Sequence, residues 1–144
     1  MYKTIIVTLD RSPLAEQALA HAVAMAKAFH STIHLLSVVP VADIQATYTS
    51  GTGIDWNLEV GVYEEYLAGI VSRIQEEGVK VISELRRGEV TEEILHYADK
   101  IHADMIVMST HGRSGLGRWV YGSVADRVLR HSPVPVLLVR ATEQ

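Results

Sequence analysis

The run TIIVTLDRSP, residues 4–13, is the part of the sequence that most directly indicates the fold. Its first six residues are β-branched or apolar and predict a buried strand. Ser12 is a good helix N-cap, and Pro13 suits the first helical position because its missing N–H would have no partner there. Alanines and leucines at helical spacing continue to Phe29. The chain is therefore predicted to open with a strand followed by a helix.

The same unit recurs along the chain. Apolar runs predict further strands at residues 32–39, 79–85, 104–109 and 134–139, and helical spacing predicts helices at 58–78, 91–102 and 122–130. Residues 41–57 have no clear period and are predicted to be a mobile connection. Since each crossover between parallel strands needs a helix, this alternation predicts an α/β fold, an open five-stranded parallel sheet with helices on both faces.

Length and composition favour one domain, residues 1–144, with 48% apolar residues to form its core. The chain has no cysteine, which excludes disulfides, thiolate metal sites and cysteine nucleophiles. No run approaches the roughly 18 apolar residues that a membrane helix needs, and the apolar run at the N-terminus is too short for a signal peptide. We therefore expect a cytoplasmic protein that does not bind membranes.

The charge distribution indicates which class of ligand the protein can bind. A net charge of -4 argues against a nucleic-acid partner, because phosphate neutralisation needs a basic face. Residues 111–131 nevertheless carry four arginines and one aspartate, so this segment has a local charge of +3. A small anion is the ligand that such a segment would attract.

The segment after the fourth predicted strand is rich in glycine, with Gly112, Gly115 and Gly117 followed by Gly122-Ser123 and a helix. Glycines permit close backbone approach, and the amides at a helix N-terminus bind phosphate groups. The alternative is a plain turn in which Ser123 caps the helix. The P-loop motif, the third glycine of a dinucleotide fingerprint, zinc-protease spacing and a nucleophile elbow are all absent from the sequence. The histidines outside this segment, His34 among them, are therefore expected at the surface, and the pair Glu92-Glu93 is expected on a solvated helical face.

Three stretches resemble the C-terminal signature of universal stress proteins: Met108 to Gly115, Gly122-Ser123-Val124-Ala125 and Pro133-Val134-Pro135-Val136. The similarity extends over essentially the whole chain. ATP-binding members carry Gly, two residues, Gly, nine residues, then Gly-[Ser/Thr]; here Ser109 replaces the first glycine and the remaining spacing is intact. The resemblance implies a fold like that of the adenine nucleotide alpha hydrolases, with strand order 3-2-1-4-5.

The resemblance also implies an ATP site and the residues that form it. Asp10 would contact the ribose, the backbone of Val38 would meet the adenine, and Met108 would lie beside the nucleoside. The phosphates would be received by Gly112, Gly122, Ser123 and Val124, with Arg113 neutralising their charge. Mg or Mn would bind through the phosphates, so no metal ligands are assigned. No catalytic residues are assigned either. The complete set of expected nucleotide-binding residues is Thr8, Asp10, Val38, Met108, Ser109, Gly112, Arg113, Gly122, Ser123 and Val124.

The function that this resemblance implies is an ATP-binding regulatory module in a stress response, with at most slow ATP hydrolysis. It implies a homodimer that pairs the edge strand Val134 to Val139 with its copy, and an unidentified downstream protein partner. A nucleotide-independent homodimeric interaction protein of the same fold is the alternative. An enzyme or signalling receiver of flavodoxin-like topology fits less well, because a receiver needs an acidic pair near the first strand and Asp10 stands alone.

Overall fold

The computed structural model describes residues 1–40, 56–110 and 123–141. Five strands in this part of the chain form one parallel sheet in the order β3-β2-β1-β4-β5, which confirms the expected architecture and strand order. The elements, in chain order, are β1 (Thr4–Thr8), α1 (Pro13–Phe29), β2 (Thr32–Pro40), α2 (Trp56–Glu76), β3 (Lys80–Gly88), α3 (Val90–Lys100), β4 (Met105–Ser109), α4 (Ser123–His131) and β5 (Val136–Val139).

The start of α1 is the one that the sequence predicts. The Ser12 hydroxyl accepts a hydrogen bond from the amide of Ala15 at 3.0 Å, and Pro13 is the first helical residue. At the other end His30 adopts a left-handed conformation with φ of 55°, and its amide donates to the carbonyl of Ala26. Both ends of α1 are therefore satisfied locally.

Helices cover the sheet on both sides and enclose two apolar clusters. Residues of α1 and α2 pack on one face with Val7, Leu35 and Val107. Residues of α3 and α4 pack on the other face with Ile6, Leu36 and Ile106. Adjacent residues of each central strand thus point to opposite faces, and both faces are buried, as expected of a parallel sheet.

Two predicted strand boundaries were wrong by two residues or more. Strand β3 continues to Gly88 rather than stopping at residue 85, and several of its side chains are exposed because it is an edge strand. Strand β5 begins at Val136 and not at Val134. The reason is local: the Ser132 hydroxyl donates to the carbonyl of Val134 and accepts from its amide, so Val134 belongs to the preceding turn.

Two other expectations about segments can be compared with the structure. Most of the predicted connection, residues 41–55, lies outside the described residues, and Trp56 already belongs to α2. Helix α3 begins at Val90, one residue before the predicted start, because the side chain of Glu89 serves as its N-cap. Among the described residues, no helix combines the length and apolar character needed to cross a membrane.

Candidate functional site

The carboxyl ends of β1, β2 and β4 meet at one edge of the sheet. Thr8 lies opposite Leu36, Val7 opposite Val107, and Ser109 opposite Val139. The winding reverses between β1 and β4, since the chain first moves to β2 and β3 and then returns to β4. In parallel α/β sheets a ligand crevice forms at this point of reversal.

Several predicted site residues lie at this edge. Continuing the strand register by two residues places Asp10 level with Val38, and by one residue places Met108 level with Thr8. Val38, Met108 and Ser109 are buried, with 9%, 4% and 8% of their surfaces exposed. Val38 and Met108 belong to the apolar cluster under α3 and α4, so they are on the same face of the sheet.

The turn after β1 is held in one conformation by short-range hydrogen bonds. The Asp10 carboxylate accepts from the amide of Ser12 at 3.0 Å. The Ser37 hydroxyl donates to the carbonyl of Leu9 at 2.6 Å, and the amide of Leu9 donates to the carbonyl of Leu36 at 2.8 Å. The backbone that carries Asp10 is therefore tied to the end of β2.

The negative charge near this turn affects the pKa of Tyr66 in α2. Burial, and then the charges of Glu16 and Asp10, raise the pKa of Tyr66 well above its usual value. Its hydroxyl donates to Glu16 at 3.1 Å and stays protonated at physiological pH. Asp10 thus lies within electrostatic range of α2 as well as at the sheet edge.

Arg11 is a residue at this edge that sequence reasoning missed. It has a positive φ of 71°, and its guanidinium lies 4.5 Å from the ring centroid of the buried Tyr63. It also approaches the carboxylate of Glu59 at 3.5 Å, while its buried Nε has no hydrogen-bond partner among the described residues. Arg11 therefore attaches α2 to the turn that carries Asp10. No sequence signal indicates this contact, because it joins segments that are distant along the chain.

The end of β4 is anchored to the last strand. The amide of Thr110 donates to the carbonyl of Val139 at 2.9 Å, and the Thr110 hydroxyl accepts from the amide of Ala141 at 3.2 Å. These bonds fix the position from which the glycine-rich segment leaves the sheet. Gly112, Arg113 and Gly122, which the family resemblance assigns to the phosphate site, lie outside the described residues.

The remaining two predicted phosphate ligands are in the first turn of α4. Ser123 is the first residue of this helix and is exposed, whereas Val124 is partly buried against the cluster under α3 and α4. Ala125 and Val128 are buried and attach α4 to the sheet. The amides of this first turn have no partner within the helix, which is the arrangement that binds anions.

A second polar region lies at the end of β3, away from the reversal point. Arg86 donates to Glu93 at 2.9 Å and to Glu84 at 3.1 Å, and its guanidinium lies 5.5 Å from the ring centroid of Tyr97. The expectation that Glu93 is a solvated surface carboxylate was wrong, because β3 extends far enough to bring Arg86 beside it. A cleft of about 520 Å³ adjoins this group and is also lined by Val39, Val60, Glu64, Leu85 and Arg87.

His34 was expected to be a surface histidine, and this was also wrong. It lies on β2 beneath α3, and its Nδ1 is 3.0 Å from the hydroxyl of Tyr97. Burial lowers the pKa of His34, while the charge of Glu84 acts in the opposite direction. In the described part of the chain, no group of three or more histidine or acidic side chains is arranged to hold a metal ion.

Comparisons with known proteins agree with this geometry. The model of the universal stress protein family matches residues 1–140. A universal stress protein of Methanocaldococcus jannaschii is 35% identical over 146 residues, covering 97% of this chain and 83% of that protein.

Solved structures are similar over nearly the whole chain. A hypothetical protein whose biochemical function was assigned from its structure superimposes with a TM-score of 0.87 at 28% identity, covering 100% of this chain and 99% of that one. A universal stress protein from Archaeoglobus fulgidus, solved in complex with dAMP, has a TM-score of 0.71 at 25% identity and covers 96% of this chain and 98% of that one.

Proposed function

This chain belongs to the universal stress protein family, and we propose that it is a cytoplasmic ATP-binding member that acts as a nucleotide-dependent regulatory module in a stress response. The site is the carboxyl edge of the sheet, at the reversal point between β1 and β4. The protein partner that senses its nucleotide state is a further part of this proposal.

One observation carries the proposal: three strand ends bring Asp10, Val38 and Met108 to the same edge of the sheet, with Asp10 level with Val38 and Met108 two residues below them in the register. A carboxylate beside two buried apolar side chains suits a nucleoside, whose ribose offers hydroxyl donors and whose base is flat and largely apolar. The dAMP complex of the relative from Archaeoglobus fulgidus supports an adenine nucleotide as the ligand class.

The phosphates would extend from this nucleoside position toward α4. Residues 111–131 have a local charge of +3, and the first turn of α4 at Ser123 and Val124 offers amides that have no partner within the helix. In the proposal, Gly112, Arg113 and Gly122 join these amides around the phosphate groups, while Thr8 and Ser109 complete the nucleoside side. Mg or Mn would be held mainly by phosphate oxygens and water, as is usual for these hard cations.

The experiment that tests this proposal is calorimetric titration of the purified protein with ATP and Mg. We expect Asp10→Ala to weaken ATP by about 1 to 3 kcal/mol, because a charged hydrogen bond to the ribose is lost. Asp99→Ala is the matched control, since Asp99 is an exposed carboxylate at the end of α3 on the opposite edge. Equal affinity of the wild type and Asp10→Ala would remove Asp10 from the site.

The proposal includes a homodimer formed by antiparallel pairing of β5 with its copy. Strand β5 is at the edge of the described sheet, and Val136, Leu137 and Leu138 are only partly buried, which leaves apolar surface beside backbone groups that pair with no second described strand. Light scattering should give twice the mass of the 15.9 kDa chain. A monomer at micromolar concentration would contradict this assignment.

The alternative is a homodimeric interaction protein that binds no nucleotide. A dimer whose titration with ATP gives no heat, and which purifies without bound nucleotide, would support it. The arrangement of Asp10, Val38 and Met108 favours the nucleotide-binding protein, because it brings a carboxylate beside buried apolar side chains at the point where the winding reverses.

A further inference from the structure

Glu89 connects two helices through a single carboxylate. Its side chain is the N-cap of α3 and accepts a hydrogen bond from the amide of Glu92 at 2.7 Å. Its other oxygen accepts from the guanidinium of Arg127 in α4 at 2.9 Å. The carboxylate is thus held in place by α3 while it binds a side chain of α4.

The protonation state of Glu89 suits this role. Partial burial acts to raise the pKa of Glu89, but hydrogen bonds from the amides of Glu92 and Thr91 and the charge of Arg127 outweigh it, so the pKa lies below its usual value. Glu89 is therefore ionised at any pH at which the binding of a nucleoside triphosphate would be studied.

Among the described residues, the other side-chain contacts of α4 include no hydrogen bond to a neighbouring helix. Ala125 and Val128 bury it in the apolar cluster, and apolar contacts have no preferred direction. Arg130 pairs with Asp126 at 3.0 Å, but both residues belong to α4, so this pair does not attach the helix to anything else. The bond from Arg127 to Glu89 has a defined length and direction, and it spans the two helices.

Accepting the nucleotide site proposed above, we propose that Arg127 is a positioning residue for phosphate binding. Its bond to Glu89 holds α4 so that the amides of its first turn, at Ser123 and Val124, are already in place when the phosphates arrive. An anion site that is already ordered loses less conformational entropy when the ligand binds. This increases the affinity for a ligand that carries phosphates, and not for the nucleoside. A nucleoside without phosphates does not reach α4 and gains nothing from the bond.

A direct role for Arg127 would give the opposite result in one variant. If Arg127 left Glu89 to bind a phosphate, Glu89→Gln would free the guanidinium and strengthen ATP binding. If Arg127 positions α4 through Glu89, Glu89→Gln weakens ATP binding, because the amide that replaces the carboxylate is a poorer acceptor for a guanidinium.

The test titrates ATP and adenosine into the wild type, Arg127→Gln, Glu89→Gln and the matched control Arg130→Gln. Arg130→Gln removes the same charge from the same helix but leaves the link to α3 intact. We expect Arg127→Gln to weaken ATP about three- to fivefold, the range of an ion pair with exposed partners, and to leave adenosine unchanged. Arg130→Gln should change ATP affinity less than twofold.

Amide hydrogen exchange in the nucleotide-free protein provides a readout that does not depend on the nucleotide site. Exchange over residues 123–131 should be faster in Arg127→Gln than in Arg130→Gln. Equal loss of ATP affinity in both arginine variants, equal loss for adenosine, tighter binding by Glu89→Gln, or unchanged exchange would each overturn the positioning role. A wild type that binds neither ligand would instead overturn the proposed function, and the positioning of phosphates with it.

Discussion

The two faces of the sheet differ in what they bury. The face under α1 and α2 buries a large apolar cluster, with Ile5, Val7 and Leu35 completely inaccessible. The face under α3 and α4 buries a smaller cluster and carries polar groups, with His34 bonded to Tyr97 and Arg86 stacked near the same ring. Val38 and Met108 of the candidate site belong to this second face.

This difference indicates a division of roles. The first face contributes mainly to the free energy of unfolding, whereas the second face combines a smaller contribution with the groups that would contact the nucleoside and position α4. Substitutions of matched residues on the two faces can therefore separate stability from ligand binding.

The largest expected effect comes from two neighbouring leucines on β2. Leu35 is buried under α1 and α2, and Leu36 is buried under α3 and α4 beside Val38. Leu35→Ala and Leu36→Ala should each lower the free energy of unfolding by about 2 to 5 kcal/mol, since each leaves a cavity. Urea denaturation measures this. When both variants are folded, Leu36→Ala should bind ATP more weakly than the wild type, whereas Leu35→Ala should bind it as tightly. Equal ATP affinities of the two variants would contradict the proposed division between the faces.

A smaller effect separates the ion pairs of the two faces. The Arg86 side chain is 18% exposed and bonds to Glu84 and Glu93, whereas Arg73 is 65% exposed and only approaches Glu16 at 3.5 Å. We expect Arg86→Ala to lower the free energy of unfolding by about 1 to 3 kcal/mol, because two carboxylates lose a charged partner. Arg73→Ala should cost less than about 0.5 kcal/mol. A similar loss of unfolding free energy in Arg86→Ala and Arg73→Ala would mean that the ion pairs of Arg86 add nothing to the stability of the second face.

The smallest effect is a pH dependence of stability that comes from His34. Burial lowers its pKa in the folded state, so below the unfolded pKa of about 6.5 the unfolded chain binds the proton more readily. Stability should therefore fall as the pH is lowered through about 6.5. Between pH 7.5 and 5.0, the decrease should be smaller in His34→Gln than in the wild type, and His96→Gln, at an exposed position of α3, should match the wild type. An identical decrease in all three proteins would exclude His34 as its source.

The sequence predicted the candidate site only in part. Asp10 and Val38 were identified through the family resemblance, and the strand register accounts for their proximity. Arg11, Glu89 and Arg127 were missed as residues with a role, because their contacts join segments far apart in the chain. Glu93 and His34 were assigned to the surface because the exposure of a polar side chain depends on which strand or helix packs over it.

What the sequence determined by itself is the order of the elements and several of their ends. Apolar runs, helical spacing and caps such as Ser12 act over a few residues, so a local pattern is sufficient to specify them. The tertiary structure alone decided which polar groups meet, as in the bond from Arg127 to Glu89 and the contact between His34 and Tyr97. These contacts depend on strand register and helix packing, and both are set by the burial of the whole apolar core rather than by neighbouring residues.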